Sequence, residues 1–548
     1  MRFSAQQGKG GVPRLTTGAA CMMALVALVA ACAQLPPLAV TRYHNPVLYA
    51  DYSDPDVIRD GRNYYLVASS FHFSPGIPIL KSADLVHWKL VGHVLAKLPF
   101  APEYNMVPPF TLTDAVPYPV GPGLRYAGGV WAPAIRKHRG LFYVFWPTPQ
   151  EGIFMATATR PEGPWSTPVA VVPGPGLEDP CPFWDDDGKA YLVHSRVGAG
   201  PLILHEMTPD GTRVLDDGTI IVHDPKNLPT LEGPKLYKRH GWYYIFAPIG
   251  GVEAGSEVVL RSRNIRGPYD WHVVLQRGTT SVHGPHQGGY VETPSGQGWF
   301  IHFNSTGAFG RIDYLEPVEW LEDWPVVGKP IEGTTAGEPV SDFQMPQTGA
   351  SFTGDHLQDS DEFDASTLGP QWEWNHNPDD ALWSLNARPG FLRLIAGPSE
   401  NLVTARNTIT QILQGPEMEA TVRLDISHLT EGQRAGLAMF GIRPSWIGVV
   451  RSGGRAVVTF SSAGAETSGP ALVGQTVELR VDVAADQTAR FSFSTDGGVR
   501  FQPLGESSRL WFSWWKGARP ALFTYIKAPP ETAVPRGYVD VDWFRVGH

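Results

Sequence analysis

Three carboxylates occupy matching places in a short phrase that recurs along this chain: a polar or acidic residue, a proline, an apolar stretch, a turn and an aromatic-rich strand. They are Asp54, Asp179 and Glu232. Carboxyl groups gathered in one site can divide the work of proton transfer, because like charges resist simultaneous ionisation and one group keeps its proton. One acid and one base of this kind commonly cleave a glycosidic bond. The residues therefore point to acid–base catalysis on a sugar, provided that the fold brings them together.

The phrase occurs five times, and its repetition predicts the fold. The copies begin at Asp54-Pro55, Ala132-Pro133, Asp179-Pro180, Glu232-Gly233-Pro234 and His283-Gly284-Pro285. Their aromatic strands are Tyr64-Tyr65-Leu66, Phe142-Tyr143-Val144, Tyr191-Leu192-Val193, Tyr243-Tyr244-Ile245 and Trp299-Phe300-Ile301. Strand-like repeats spaced roughly 40–50 residues apart are typical of a β-propeller, whose inner strands line a central channel. Equivalent positions face that channel together, so we expect a five-bladed propeller with the three carboxylates in its channel.

Composition agrees with an all-β protein of more than one domain. The chain has 548 residues, of which 59 are glycine and 50 are proline, and only 18% are charged. This profile is typical of a turn-rich fold and not of a helical bundle or a disordered chain. The net charge is −10 and no basic patch stands out, so a nucleic acid is not an expected partner.

The N-terminus has the features of an export signal. Basic residues precede an apolar run from about Ala19 to Ala33, which is too short to span a bilayer and fits a signal peptide. The run contains Leu28-Val29-Ala30-Ala31-Cys32, which resembles a bacterial lipobox with Cys32 as the lipidated residue. We therefore predict a signal peptide over 1–31, a linker over 32–42 and an exported bacterial lipoprotein, periplasmic or anchored in the outer membrane. Ordinary cleavage near Ala31 or Ala33 is the alternative.

Two domains are expected after this segment. The repeats place the propeller over 43–332, and a stretch rich in Gly, Thr, Ser, Pro and Gln predicts a linker over 333–353. Beyond it, runs such as 419–424, 476–481 and 538–543 alternate apolar and polar residues. These runs predict a β-sandwich over 354–548.

Motifs in both domains resemble glycoside hydrolase family 43, the five-bladed β-xylosidases and α-L-arabinofuranosidases. In the propeller the matching residues are Asn45-Pro46-Val47, Ser53-Asp54-Pro55-Asp56, Tyr64-Tyr65, Ser82-x-Asp84-Leu85-x-x-Trp88, Gly129-Val130-Trp131-Ala132-Pro133, Glu178-Asp179-Pro180 and Glu232-Gly233-Pro234. The second domain is similar to the concanavalin-A-like jelly-roll sandwich of the family's xylosidase branch, from Asp361-Glu362-Phe363 and Trp372-x-Trp374-Asn375-His376-Asn377-Pro378 onward.

The resemblance implies a role for each carboxylate. Asp54 would be the general base, Glu232 the general acid, and Asp179 the residue that orients the acid and modulates its pKa. The mechanism would be single-step inversion. The implied substrates are xylo-oligosaccharides or arabinoxylan-derived glycans, and no cofactor would be required.

Four further residues match positions that the family places near the sugar. Phe71 and Trp131 would contact the pentose ring, although Phe71 could instead belong to the core of a blade. Arg311 would approach the sugar, and a solvated surface arginine is the alternative. His286 would lie in the channel near a water-bound cation, such as a structural calcium. Its motif differs from the commoner form by one residue, which leaves His283 as a competitor, and no ligand cluster with calcium spacing is visible.

Three tryptophans of the second domain allow two interpretations. Trp511, Trp514 and Trp515 could form part of the sandwich core, because large aromatic residues dominate cores. They could also lie on a loop that reaches over the propeller and closes the pocket. A sandwich that blocks the channel mouth would restrict the enzyme to chain ends.

The sequence favours one activity over three others. We expect an exo-acting β-1,4-xylosidase, because the sandwich resembles that of the xylosidase branch, and an α-L-arabinofuranosidase is the alternative. A fructosidase of the related five-bladed invertase group would carry Asn-Asp-Pro-Asn and Arg-Asp-Pro where this chain has Ser53-Asp54-Pro55-Asp56 and Glu178-Asp179-Pro180. A glycan-binding surface lipoprotein that has lost catalysis would lack a carboxylate, and all three are present.

Overall fold

The computed structural model describes residues 10–11, 41–109, 123–349 and 357–547. The predicted signal peptide and Cys32 lie outside the described residues, apart from Gly10 and Gly11. Tyr43–His548 form one compact unit. Within the described ranges, no helix is both long and apolar enough to cross a bilayer.

The first part of this unit is a ring of five four-stranded antiparallel sheets, each built from consecutive strands. Blade 1 contains Asp56–Asp60, Asn63–Val67, Gly76–Ser82 and Lys89–Leu95; blade 2, Ala134–His138, Leu141–Thr148, Gly152–Ala158 and Val169–Pro173; blade 3, Leu177–Trp184, Ala190–Arg196, Leu202–Met207 and Thr219–Val222; blade 4, Lys235–Arg239, Trp242–Ile249, Ser256–Ser262 and Asp270–Leu275; and blade 5, His286–Glu292, Gly298–Ser305, Arg311–Leu321 and Trp324–Val327. The prediction of a five-bladed propeller is confirmed.

The repeated phrase explains this architecture. In every blade the first strand lies at or just after the recurring proline, and the second strand contains the aromatic triplet. The first strands of blades 1, 2 and 3 contact one another in turn, and that of blade 5 contacts blade 1, which closes the ring around the channel. A separate apolar cluster fills each interface between neighbouring blades. Burial of these clusters fixes the blades, and with them the residues at the ends of the inner strands.

The second part is a β-sandwich of two sheets. The first sheet contains Ala465–Ala471, Arg455–Ser462, Ser445–Ser452, Gln433–Phe440, Arg519–Lys527, Ile409–Thr410, Glu373–Asn375 and Gly397–Ser399. The second contains Trp383–Ser384, Leu392–Ile395, Tyr538–Gly547, Met418–Asp425, Thr476–Val483, Thr488–Ser494, Gln502–Pro503 and Ser508–Arg509. Alternating apolar residues of both sheets form one core between them, as the period-two pattern predicted.

Short elements join the two parts. In the chain, Phe73–Ser74 lies between the second and third strands of blade 1, but it pairs with Glu373–Asn375. The propeller therefore contributes a strand to the first sheet of the sandwich. Lys329–Pro330 and Gly337–Glu338 extend the sheet of blade 4, within and beside the predicted linker. The remaining elements are the strands Arg42–His44 and Asp342–Gln344 and the 3₁₀ turns Pro102–Asn105, Gly307–Phe309, Asp380–Leu382 and Leu402–Thr404.

Candidate active site

A pocket of about 250 Å³ lies where the inner strands of the propeller begin. It contains all seven residues that the sequence assigned to the propeller site: Asp54, Phe71, Trp131, Asp179, Glu232, His286 and Arg311. Six others complete the lining: Ala132, Glu178, Gly251, Val252, Gln287 and Trp515. Residues separated by more than 450 positions in the chain therefore share one small cavity.

Backbone conformation aims two of the carboxylates into this pocket. Asp54 and Asp179 have φ angles of 56° and 54°, in the left-handed region that costs a non-glycine residue roughly 1–2 kcal/mol. Asp54 lies two residues before the first strand of blade 1, and Asp179 lies at a bulge in the first strand of blade 3. Such strain persists where the surrounding structure enforces it, and it is concentrated at functional sites.

Asp54 is a buried carboxylate held by two side chains. Its Oδ2 accepts a hydrogen bond of 2.5 Å from the Ser69 hydroxyl, and its Oδ1 accepts one of 2.9 Å from the Arg311 guanidinium. The guanidinium is itself buried, 4.8 Å from the ring centre of Phe303. Arg311 is therefore not a solvated surface arginine, and it fixes the orientation of Asp54 as well as lining the pocket.

Asp179 accepts three hydrogen bonds at the bottom of the pocket. Its Oδ2 receives the Gly233 N–H at 2.8 Å and the Ser195 hydroxyl at 3.1 Å, and its Oδ1 receives the Gln287 amide at 3.3 Å. Burial and the negative charge of Glu232 nevertheless raise the pKa of Asp179 to about 6. The group is thus coupled electrostatically to the predicted acid and joined through Gly233 to its backbone.

Glu178 is a fourth carboxyl group of the pocket. It belongs to the motif Glu178-Asp179-Pro180, but no role was predicted for it. Its carboxyl oxygens lie within 4.8 Å of those of Asp179 and Glu232, and its Oε1 accepts a 3.2 Å hydrogen bond from the Ala199 N–H. Burial, followed by the charges of Asp179 and Glu232, raises the pKa of Glu178 to about 10. This rise favours the protonated form of Glu178, whose O–H can donate a hydrogen bond.

Glu232 is the most accessible of the four carboxylates, with 23% of its side chain exposed. Its Oε1 lies 3.2 Å from Nε2 of His286, whose ring is buried against Phe303. His283, the competing histidine, is half-buried outside the pocket lining and contacts the carbonyl of Glu253 through Nδ1. The channel position therefore belongs to His286, and Glu232 is the carboxyl best placed to reach a leaving group at the pocket mouth.

Aromatic side chains from both domains form walls of the pocket. The rings of Phe71 and Trp131 are 6.2 Å apart, and the Trp131 indole N–H donates to the carbonyl of Ala127. Trp515 comes from the sandwich and lies 5.2 Å from the Arg311 guanidinium. Both interpretations of the tryptophan cluster apply in part: Trp514 is buried and stacks on Tyr126 of the propeller, whereas Trp515 lines the pocket.

A channel cation near His286 is compatible with one feature of the described residues. Nδ1 of His286 is buried and has no hydrogen-bond partner among them. Water bound to a cation could donate to this atom, because neutral imidazole accepts at one nitrogen. The residues thus fit the predicted hydrated ion as neighbours and not as a full set of ligands.

Comparisons with known proteins match both domains of the chain. Residues 43–325 match the family model "Glycosyl hydrolases family 43", and residues 360–547 match "Beta xylosidase C-terminal Concanavalin A-like domain". A protein of Xylanibacter ruminicola, whose name proposes a beta-xylosidase, is 39% identical, with 89% of this chain and 87% of that protein covered. A non-reducing end alpha-L-arabinofuranosidase of Bacteroides ovatus is 32% identical, with 73% and 74% covered.

A solved structure is similar to the chain over both domains. The bifunctional GH43-CE protein of Bacteroides eggerthii superimposes with a TM-score of 0.80 at 31% identity. The superposition covers 93% of this chain and 64% of that protein, so the chain spans about two thirds of the bifunctional protein's length. The propeller, the sandwich and the carboxylate pocket together with these matches show that the chain belongs to glycoside hydrolase family 43.

Proposed function

We propose that this glycoside hydrolase releases xylose from the non-reducing ends of β-1,4-xylo-oligosaccharides with inversion of configuration. One observation carries the proposal: Asp54 and Glu232 line a small pocket that Trp515 of the sandwich helps to close. A cavity of about 250 Å³ lies below the range of roughly 300–1,000 Å³ found for drug-sized ligands. It suits the terminal sugar of a chain and not the interior of a polymer.

The proposed reaction is a single displacement at the anomeric carbon. Asp54, oriented by Ser69 and Arg311, takes a proton from a water molecule as the water oxygen attacks that carbon. Glu232 gives its proton to the glycosidic oxygen as the bond to the leaving sugar breaks. Asp179 supplies negative charge beside the acid, protonated Glu178 offers a hydrogen-bond donor, and the aromatic walls contact the sugar ring.

Leaving-group dependence tests the two roles separately. Asp54→Ala should lower kcat by about 10³-fold or more on both xylobiose and a nitrophenyl xyloside, because both need an activated water. Glu232→Ala should affect xylobiose far more strongly, because nitrophenolate leaves with little protonation. Equal losses on both substrates for Glu232→Ala would remove it from the role of acid, and a small loss for Asp54→Ala would remove it from the role of base.

An α-L-arabinofuranosidase is the second candidate, favoured by the 32% identity to the Bacteroides ovatus enzyme. A proton NMR time course on arabinoxylo-oligosaccharides separates the two. Xylose released first as the α-anomer supports an inverting β-xylosidase, whereas release of arabinose assigns the same pocket to debranching.

Two further features of the protein are proposed with this function. Export with lipidation of Cys32 predicts an acylated N-terminal peptide by mass spectrometry, and a free cleaved N-terminus would contradict it. A hydrated calcium beside His286 predicts that chelation lowers the thermal midpoint and that added calcium restores it. An unchanged midpoint would contradict the bound ion.

A further inference from the structure

A buried ion pair lies directly beneath the proposed base. The carboxylate of Asp51 accepts two main-chain hydrogen bonds. Its Oδ1 accepts the backbone N–H of Arg311 at 3.0 Å, and its Oδ2 accepts the backbone N–H of Gly517 at 2.9 Å. The Lys516 ammonium group of the sandwich lies 3.4 Å from the same Oδ2. Asp51 and Lys516 are 2% and 1% exposed, so neither charge has access to solvent.

Lys516 also binds the propeller backbone on both sides of Asp54. Its ammonium group donates to the carbonyl of Asp51 at 2.8 Å and to the carbonyl of Ser69 at 3.0 Å. Ser69 and Arg311 are the two residues whose side chains hold the Asp54 carboxylate. Each of them is therefore attached to the pair through its main chain, Ser69 to Lys516 and Arg311 to Asp51.

The packing around the pair leaves little freedom for these groups to shift. A Cβ at Gly310, just before Arg311, would lie 2.4 Å from the Asp51 carboxyl carbon. A Cβ at Gly517 would lie 2.8 Å from the carbonyl of Ala308. The turn that presents Lys516 is itself strained, because Trp514 and Trp515 have φ angles of 55° and 64°.

Stability alone is a weak reason for such a pair. Two charges removed from water give little net stabilisation compared with apolar residues of similar volume. The contacts of Asp51 and Lys516 instead fix the positions of Ser69 and Arg311. Such fixing matters for catalysis, because a small misplacement of a catalytic group has a large effect on rate.

We propose that Asp51 and Lys516 are a positioning pair that aims Asp54 through Ser69 and Arg311, so that the sandwich takes part in orienting the base. The proposal rests on the role of Asp54 in the proposed function. It assigns to the second domain a task beyond lining the pocket, since Lys516 donates hydrogen bonds to the main chain at Asp51 and Ser69. The same ammonium group also lies 5.7 Å from the ring of Phe71, a pocket-lining residue.

The test compares two lysines that both join the sandwich to the propeller. Lys516→Met should lower kcat on a nitrophenyl xyloside by about 100-fold, the effect of a misplacement near 1 Å, with KM changed less than threefold. Lys97→Met is the control, because it breaks an exposed 2.7 Å ion pair with Asp380 of the sandwich, and neither residue belongs to the pocket lining. Its kcat should stay within twofold of wild type, and equal kcat values for the two variants would overturn the proposal.

A double-mutant cycle distinguishes positioning of the base from a general structural effect. In an Asp54→Ala background, azide can replace the activated water: it attacks the anomeric carbon, nitrophenolate leaves, and xylosyl azide forms. If Lys516 acts through Asp54, adding Lys516→Met should then change the azide-supported rate less than about threefold. A full 100-fold loss in this background would overturn the proposal.

Two measurements keep the result interpretable. Circular dichroism and thermal midpoints establish whether Lys516→Met folds; if it does not, Asp51→Asn, which keeps the size of the side chain, carries the same expectation in the same cycle. A wild-type protein without xylosidase activity would refute the proposed substrate, and the cycle would then be measured on the glycoside that it does cleave. A wild type active on xylosides with an unaffected Lys516→Met variant would refute only the positioning pair.

Discussion

Replacing Asp179 by asparagine should stabilise the protein at neutral pH while lowering its activity. The carboxyl group is buried among other acids, and burial together with the charge of Glu232 raises its pKa from 3.8 to about 6. An asparagine keeps an oxygen that can accept the 2.8 Å hydrogen bond from the Gly233 N–H. It removes the negative charge that the folded state tolerates poorly.

The magnitude and the sign follow from proton linkage. In the unfolded chain Asp179 loses its proton near pH 3.8, and in the folded protein near pH 6. Between these values the folded state binds more protons, so the free energy of unfolding falls as pH rises through this window. A difference of about two pH units corresponds to about 3 kcal/mol, and the whole of this cost is present above pH 6.

Differential scanning calorimetry at two pH values tests the reasoning. At pH 7.5 Asp179→Asn should melt several degrees above wild type, and at pH 3.8 or below the two midpoints should coincide. Asp217→Asn is the matched control, because Asp217 is exposed on the same blade, and it should leave both midpoints unchanged. If Asp179→Asn lowered the midpoint equally at both pH values, its hydrogen bonds and not its charge would dominate, and the argument would be wrong.

Substitutions at three other positions test separate parts of the structure. Glu178→Gln keeps a hydrogen-bond donor, so its kcat at pH 7 should stay within about threefold of wild type, whereas Glu178→Ala should lose about tenfold in kcat/KM; an equally inactive Gln variant would mean that the charged form is needed. Trp515→Ala should raise KM for xylobiose about fivefold by removing a pocket wall, and an unchanged KM would contradict that role. Arg519→Met removes the guanidinium that lies 2.5 Å from the buried Glu373 carboxylate and leaves His93 beside it at 3.1 Å; the change should cost about 3–5 kcal/mol of stability. A thermal midpoint no lower than that of Lys97→Met would contradict this estimate.

The blades and the three repeated carboxylates could be predicted because a propeller reuses one local pattern. Each phrase encodes a strand start, and the fold converts equivalent starts into neighbours around a channel. Asp54, Asp179 and Glu232 needed only this rule to be placed together. The same pattern also located the aromatic second strand of each blade.

Glu178 shows where such a rule fails. Alternation along a strand would send Glu178 and Asp179 to opposite faces, and the repeated phrase placed only Asp179 in the channel. The bulge after Glu178 and the positive φ of Asp179 break the alternation and bring both carboxyl groups into the pocket. A bulge of this kind leaves no clear mark in a single sequence.

The individual residue pairs that join the two domains could not be predicted, for a different reason. Lys516 and Asp51 are separated by 465 positions, and no periodicity connects them. Their pairing depends on how two complete domains fit together, as does the choice of Trp515 over Trp511 for the pocket. Repeats and periodicity describe each domain separately and do not give the residue pairs between domains.

The strand Phe73–Ser74 has a consequence for anyone who recombines domains within this family. It pairs with Glu373–Asn375, so a cut anywhere in 333–353 divides one hydrogen-bonded sheet and leaves the sandwich with an open edge. An open edge invites pairing with other chains. A chimera that exchanges sandwiches should therefore carry residues 71–74 from the same parent as its sandwich, even though this transplants Phe71 of the sugar pocket along with the strand.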